Sequence, residues 1–215
     1  MNSIERRYVH DTYQKIYKHF DNSRAYLWKS VKEFLDEVPS NSLIVEIGSG
    51  NGKNLMRRVD CINFAFDLCS NFTEITNSRG IDSVIANNLS IPLMSNSVDA
   101  LLSIAVLHHL TDEMRRLNCI RELIRILKPG GELLIQVWAF EQDERSKKKF
   151  TKEDNYIEYN SSDKKVCELR YYHVFKEGEL DNMIKSVPDV EIIKSYWEMG
   201  NWVILARKLR SSISK

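Results

Sequence analysis

Glu46 is followed at every second position by a glycine, in the run LIVEIGSGNG from Leu43 to Gly52. A carboxylate at the end of an apolar run, then Gly48, Gly50 and Gly52, suits a loop that turns sharply and brings its backbone against a ligand, because side chains beyond Cβ would obstruct both the turn and the approach. A second concentration of chemistry is SIAVLHHL (103–110), which delivers the adjacent pair His108 and His109. Neighbouring histidines are not the spacing by which a helix holds a metal, and taken singly each is more commonly an ordinary hydrogen-bonded residue than an acid or base. The cysteines, Cys61, Cys69, Cys119 and Cys167, are far apart with no C-x-x-C pair. Neither a zinc site nor a disulfide framework is expected, and a reducing compartment fits. With a net charge of +1 no global field draws the chain to a polyanion; only RSKKK (145–149) and RKLR (207–210) offer local basic patches. Such runs are usually solvated surface.

Elements must hold these residues in place. The 215 residues are enough for one domain with a single large core. Tyr8 to Phe20 and Tyr26 to Val38 carry apolar residues at three- and four-residue spacings, which predicts two N-terminal helices, joined near Asp21 to Ser23, within a 1–38 segment covering the site. Strand-like runs then alternate with helical stretches: LIVEI (43–47), NFAF (63–66), DSVIA (82–86), DALLSIAV (99–106) and ELLIQVW (132–138). That alternation predicts a parallel sheet covered by helices. The clearest helix spans Asp112 to Leu127, with Thr111 and Asp112 as capping residues and Lys128, Pro129, Gly130 and Gly131 as the stop. Residues Glu141 to Lys165 are polar and poor in periodicity, and are expected to form a long, mobile insertion beyond a strand's carboxyl end. EIIKSYWEMGNWVILARK (191–208) predicts an antiparallel hairpin turning at Gly200 and Asn201. The charged start MNSIERRY and the lack of any long apolar window predict a cytosolic, or also nuclear, protein.

The glycine spacing departs from the G-x-G-x-x-G of dinucleotide sites and points away from NAD toward S-adenosylmethionine, so a methyltransferase is expected. From Glu46 to Gly52 the chain resembles the class I methyltransferases. That resemblance implies a Rossmann-like α/β fold, a seven-stranded mostly parallel sheet in the order 3-2-1-4-5-7-6 with the last strand antiparallel and helices on both faces. It implies that Glu46, Gly48, Gly50 and Gly52 hold the cofactor, and that Asp67, closing the second strand, accepts hydrogen bonds from both ribose hydroxyls. Asn87 then stands where many relatives keep an acid for the adenine amino group, and an amide oxygen can accept that bond without the charge. A loop-opening aspartate and a turn-forming asparagine are the plain alternatives. On this fold Ser103 to Leu107 lie along the cofactor, and His108 and His109 reach the rim where the acceptor sits.

Four segments taken together, YVHDTYQKIYKHFDNSRAYLW (8–28), SIAVLHHL (103–110), VWAFEQ (137–142) and RYYHVFKEGEL (170–180), resemble the eukaryotic tRNA wobble-uridine carboxymethyl methyltransferases in their stand-alone form, over nearly the whole chain. The resemblance implies methyl esterification of 5-carboxymethyluridine in a tRNA anticodon loop, with a small zinc-binding activator subunit as partner and no metal in this chain. Three features depart from the family's pattern: Asn87 replaces an acid, Ser49 stands where cysteine is common, and the middle insertion is short. Resemblance and charge nominate Arg24 and Arg170 to grip the acceptor carboxylate, which arginine's fork fits better than lysine. Trp138 and Tyr171 are candidates to stack on a base swung out of the loop. Arginines paired to surface acids and a tryptophan in the core are the alternatives. In the implied order the third strand, near Asp82 to Ala86, is an edge with Ile62 and Phe64 beside it, open to strand addition by the partner. A small-molecule carboxyl or quinone-type methyltransferase and a non-catalytic RNA-binding subunit are the rival readings.

Overall fold

The computed structural model describes residues 1–22, 26–144, 146, 148–161 and 167–210. Its centre is a seven-stranded sheet of β1 (Leu43–Ile47), β2 (Ile62–Asp67), β3 (Asp82–Ile85), β4 (Val98–Ile104), β5 (Leu127–Trp138), β8 (Val190–Glu198) and β9 (Asn201–Lys208), in the order β3-β2-β1-β4-β5-β9-β8. Strands β1 to β5 run parallel, and β9 is antiparallel to both neighbours. Setting aside the extra hairpin of β6 (Asp154–Asn160) and β7 (Cys167–His173), this is the expected order.

The sheet is buried on both faces, so its central strands read as continuous apolar runs rather than alternating ones. In β1, Val45 and Ile47 face a core shared with α5 (Glu113–Ile126) and α6 (Glu179–Lys185), whereas Ile44 faces α3 (Lys29–Glu37) through Val31, Phe34 and Leu35. The start of α5 follows its sequence: Asp112 accepts a hydrogen bond from the Arg115 N–H at 2.9 Å, satisfying one of the orphan donors of the first turn. The final hairpin turns through Met199 and Gly200 rather than the expected Gly200 and Asn201, because Asn201 already pairs with Glu198; the two turn residues, at φ 46° and 81°, are the left-handed pair that matches the twist of the flanking strands.

Three further expectations change. The first helix begins earlier, as α1 (Ser3–Glu5), passes through a π turn at Arg6–His10 and continues as α2 (Asp11–Asn22), while the second helix starts only at Lys29. The fourth strand stops at Ile104, because Ala105 adopts φ 61° and turns the chain out of the sheet. Within 141–165, expected to lack periodic structure, β6 pairs antiparallel with β7, from Asp154 opposite His173 to Asn160 opposite Cys167. Its polar outward residues hid the alternation. One side of β6 faces solvent and carries Asp154, Glu158 and Asn160, so the apolar residues are only Tyr156, Ile157 and Tyr159.

A candidate active site at the carboxyl ends of the strands

Turns leaving β1, β2 and β4 converge on one cleft, whose lining includes Glu46, Gly48, Gly50, Asp67, Asn87 and His109. The glycine loop closes on its neighbours. Gly48, at φ +72°, would place a Cβ 2.4 Å from Val106 Cγ2, so no side chain fits there. Gly52, at φ +71°, faces Thr76 Cγ2, which a Cβ would approach to 2.7 Å; it packs the loop on α4 (Ser70–Ser78) and is not among the cleft-lining residues. Asp67 braces the loop, accepting the Gly50 N–H on one oxygen and the Cys69 N–H on the other, each at 2.8 Å. Two carboxylate oxygens carry about four lone-pair sites, so both remain able to accept from a ligand.

Glu46 is 1% exposed. Asn54 Nδ2 donates to Oε1 at 2.6 Å, while Oε2 has no partner among the described residues. Burial, opposed by that hydrogen bond, pushes its carboxyl up to about 8. An unpartnered buried acceptor is costly. In the wall of this cleft it suits a cation-bearing ligand. Asn87 is a turn residue in part: its Oδ1 accepts from the Leu89 N–H at 3.0 Å, while its amide NH2 makes no bond to the described residues. Ser103 does not reach the cleft. It is fully buried within β4, and the lining comes from the three residues after it, Ile104, Ala105 and Val106.

Beyond the glycine loop lies a compartment of rings. Trp138, at the end of β5, stacks on Tyr172 at 4.2 Å and 22°, and the Lys148 ammonium lies 3.6 Å from the Trp138 ring centroid. Trp138 lines the cleft rather than the core. Tyr172, not Tyr171, lines the cleft beside Trp138. Side chains of a strand alternate in direction, so Arg170 and Tyr172 share one face of β7 while Tyr171 and His173 take the other. There Tyr171 is 3% exposed, with its hydroxyl donating to Asp154 Oδ1 at 2.6 Å. The Arg170 guanidinium lies 5.1 Å from both the Tyr159 and Tyr172 rings. It is 5% exposed, and its Nε and Nη1 have no acceptor among the described residues. Arg24 lies outside the described residues.

Hydrogen bonding fixes the proton on each histidine. His109 Nδ1 lies 2.8 Å from the Tyr171 carbonyl, which can only accept, so Nδ1 carries the proton. Its Nε2 then accepts from the Tyr13 hydroxyl at 3.0 Å. Burial takes its ionisation down to about 3 and keeps the ring neutral. His108 is likewise held neutral by burial, and its Nδ1 accepts the Trp138 N–H at 3.3 Å.

Several lining residues escaped the sequence. Tyr13 and Phe20 of α2 meet Phe72 of α4 with ring centroids 5.4 to 6.1 Å apart, walling the cleft where seven-residue spacing reads as ordinary core. Glu5 also lines it, tied to Arg115 by bonds of 2.7 and 2.5 Å that pin the N-terminal segment to α5. The basic run at 207–210 is structural where its partners are seen: Arg207 pairs with Glu132 at 2.6 Å, and Lys208 Nζ donates to the Ile124 carbonyl at the end of α5 at 2.7 Å.

Residues 45–135 match the family described as methyltransferase domain. A tRNA (carboxymethyluridine(34)-5-O)-methyltransferase of Schizosaccharomyces pombe is 34% identical over 225 residues, covering 95% of this chain and 97% of the relative. The Xenopus tropicalis protein of the same name, alkbh8, is 31% identical across 97% of this chain, which spans only 42% of that longer relative. Among solved structures, the complex between the Haloferax volcanii Trm112 methyltransferase activator and a putative methyltransferase matches 95% of this chain and 99% of the solved chain, with a TM-score of 0.70 at 14% identity. At that identity it speaks for the fold alone. The glycine loop braced by Asp67, the rings beyond it and near end-to-end similarity to the fission yeast protein lead to one assignment: the chain belongs to the tRNA (carboxymethyluridine(34)-5-O)-methyltransferase family.

Proposed function

We propose that this protein methylates the carboxylate of 5-carboxymethyluridine at the wobble position of tRNA, with S-adenosylmethionine as methyl donor. The observation that carries the acceptor half is Arg170, a permanent cation buried beside Tyr172 whose Nε and Nη1 have no acceptor among the described residues. A guanidinium so placed is matched to an anion.

The cofactor half fits an adenosylated sulfonium. Gly48 and Gly50 keep the loop backbone free of side chains, Asp67 offers oxygens to ribose hydroxyls, and Glu46 Oε2 has no partner among the described residues. When bound, the cofactor supplies an electrophilic methyl group. The remaining work belongs to the chain. An acceptor carboxylate, with an intrinsic pKa of about 4, is ionised at neutral pH, so no general base is needed. His109 matches that economy, since both its ring nitrogens are committed to Tyr171 and Tyr13. Its task is to orient Tyr13. Arg170 holds the anion, and the Trp138–Tyr172 stack holds the base while excluding water from the line of attack.

A small zinc-binding activator would dock at β3, the sheet edge, where Val84 is 43%, Ile85 54% and neighbouring Ile62 63% exposed. The neighbour solved with its Trm112 activator supports such an assembly. Among the described residues no group of three histidines, cysteines or acids is arranged to hold a metal.

Purified protein with its activator, undermodified tRNA and labelled S-adenosylmethionine should place label on the wobble uridine. Label found only on free small molecules would overturn the proposal in favour of a small-molecule methyltransferase.

A further inference from the structure

The Tyr13 hydroxyl, on the wall of the cleft, has its proton committed. His109 Nδ1 gives its own proton to the Tyr171 carbonyl at 2.8 Å, which leaves a lone pair at Nε2 for the Tyr13 O–H at 3.0 Å. Burial first, and the charge of Arg170 besides, keep that ring neutral against the pull of the Tyr171 bond. A phenolic oxygen has one proton and two lone pairs, so toward every other group Tyr13 can only accept. The ring itself is held by Phe20 and Phe72, with centroids 5.4 and 6.1 Å away, so the oxygen can be removed and the ring left in place.

The group that meets those lone pairs is the Arg170 guanidinium. Helix α2 is fastened to β7 beside both residues: Thr12 Oγ1 is 3.1 Å from the Leu169 carbonyl, and three residues on Lys15 pairs with Glu168 at 2.9 Å. Arg170 and His109 also lie against the same Tyr172 ring, 5.1 and 4.6 Å from its centroid. Burial acts to lower the Arg170 ionisation, and the Tyr13 side chain heads the influences that outweigh it, by charge and by hydrogen bonding. Nε and Nη1 have no acceptor among the described residues and are open to an anion.

We propose that Tyr13 is a positioning residue whose hydroxyl works in one direction: its oxygen holds the Arg170 guanidinium toward the acceptor carboxylate, and His109, by taking its proton, keeps it from donating to the oxygen that attacks. This rests on the methyl transfer to a carboxylate proposed above. In that transfer a lone pair of one carboxylate oxygen becomes the bond to the methyl carbon, the bond from that carbon to sulfur breaks with its pair kept by sulfur, and no proton moves. The attacking oxygen loses negative charge as its bond forms. A hydrogen bond donated to it is therefore stronger in the bound substrate than in the transition state, and would slow the step while tightening binding.

For the protein with its activator, the readouts are the single-turnover rate on tRNA carrying unesterified 5-carboxymethyluridine, the dissociation constant for that tRNA, and cofactor affinity by calorimetry. His109→Phe frees the Tyr13 proton, and the rate should fall about tenfold while tRNA binding holds or tightens. Tyr13→Phe should instead weaken tRNA binding about tenfold, with cofactor affinity within about twofold. Adding His109→Phe to Tyr13→Phe should then cost nothing more, because no hydroxyl remains to be directed. His109→Gln, whose amide oxygen can take the same proton, should restore the rate to within about threefold of wild type. Losses that multiply in the double variant, or a His109→Phe protein that binds tRNA more weakly at an unchanged rate, overturn the inference. A complex that methylates no tRNA overturns the functional reading instead. Nitrogen NMR then still decides the relay: His109 should carry its proton on Nδ1 with an Nε2 signal that moves in Tyr13→Phe, and a ring protonated on Nε2 overturns it.

Discussion

The two halves of the cleft are built differently. The cofactor half is made by short turns directly after strands, with Glu46, Gly48 and Asp67 within a residue or two of a strand's end. The acceptor half is assembled from distant parts: Tyr13 from α2, His109 after β4, Trp138 at the end of β5, Arg170 and Tyr172 from the added hairpin. One half is set by backbone geometry and tolerates almost no substitution at its glycines. The other is set by side-chain contacts between elements far apart in the chain, each with its own graded effect.

Breaking the rigid half should give the largest loss. Gly48→Ala must place a Cβ into Val106 while holding φ +72°, and should abolish measurable cofactor binding by calorimetry with the fold retained by circular dichroism. Arg170→Ala should cut kcat/KM for tRNA by about a hundredfold or more, the scale of an anion-stabilising contact, with cofactor affinity close to normal. Equal loss of both would mean that Arg170 is scaffold. Trp138→Ala should cost about ten- to a hundredfold in apparent tRNA affinity, the range of about 1–3 kcal/mol for base stacking, and leave cofactor titrations unchanged.

A stability measurement separates the halves by pH. The Glu46 carboxyl is raised from 4.5 to about 8, so the folded cofactor-free protein holds a proton that the unfolded chain has released between those values. The stabilisation this proton provides is fully present below 4.5 and is lost as pH rises through about 8. Glu46→Gln should flatten that decline in thermal unfolding, and an unchanged slope would remove Glu46 as its source. The smallest effect should come from Ser103→Ala. Its hydroxyl is buried without a partner among the described residues and lies below the cleft lining, so activity and cofactor affinity should stay within about twofold.

The same contrast explains what could be read in advance. The run LIVEIGSGNG gave away its strand and turn because apolar continuity and glycine spacing are local signals. Ser103 and Tyr171 were each displaced by the alternation of a strand. Deciding which of two neighbours faces a cleft requires knowing which face the sheet presents and where the strand ends, and for β4 that end is set by Ala105 at φ 61°. Tyr13 gave no warning, because an aromatic at helical spacing looks the same whether it fills a core or walls a ligand site. Strand β6 was hidden because one side of it is solvated and carries charge.

By itself, then, the sequence determined the alternating α/β architecture and the glycine turn after the first strand, since each depends on interactions between residues close along the chain, whereas the strand order came only through the family resemblance. Only the tertiary structure decided the proton on His109, the choice of Tyr172 over Tyr171 and the burial of Arg170 between rings. Those depend on partners brought from distant positions, Tyr13 across 96 residues from His109 among them, and no local pattern encodes which of them will meet.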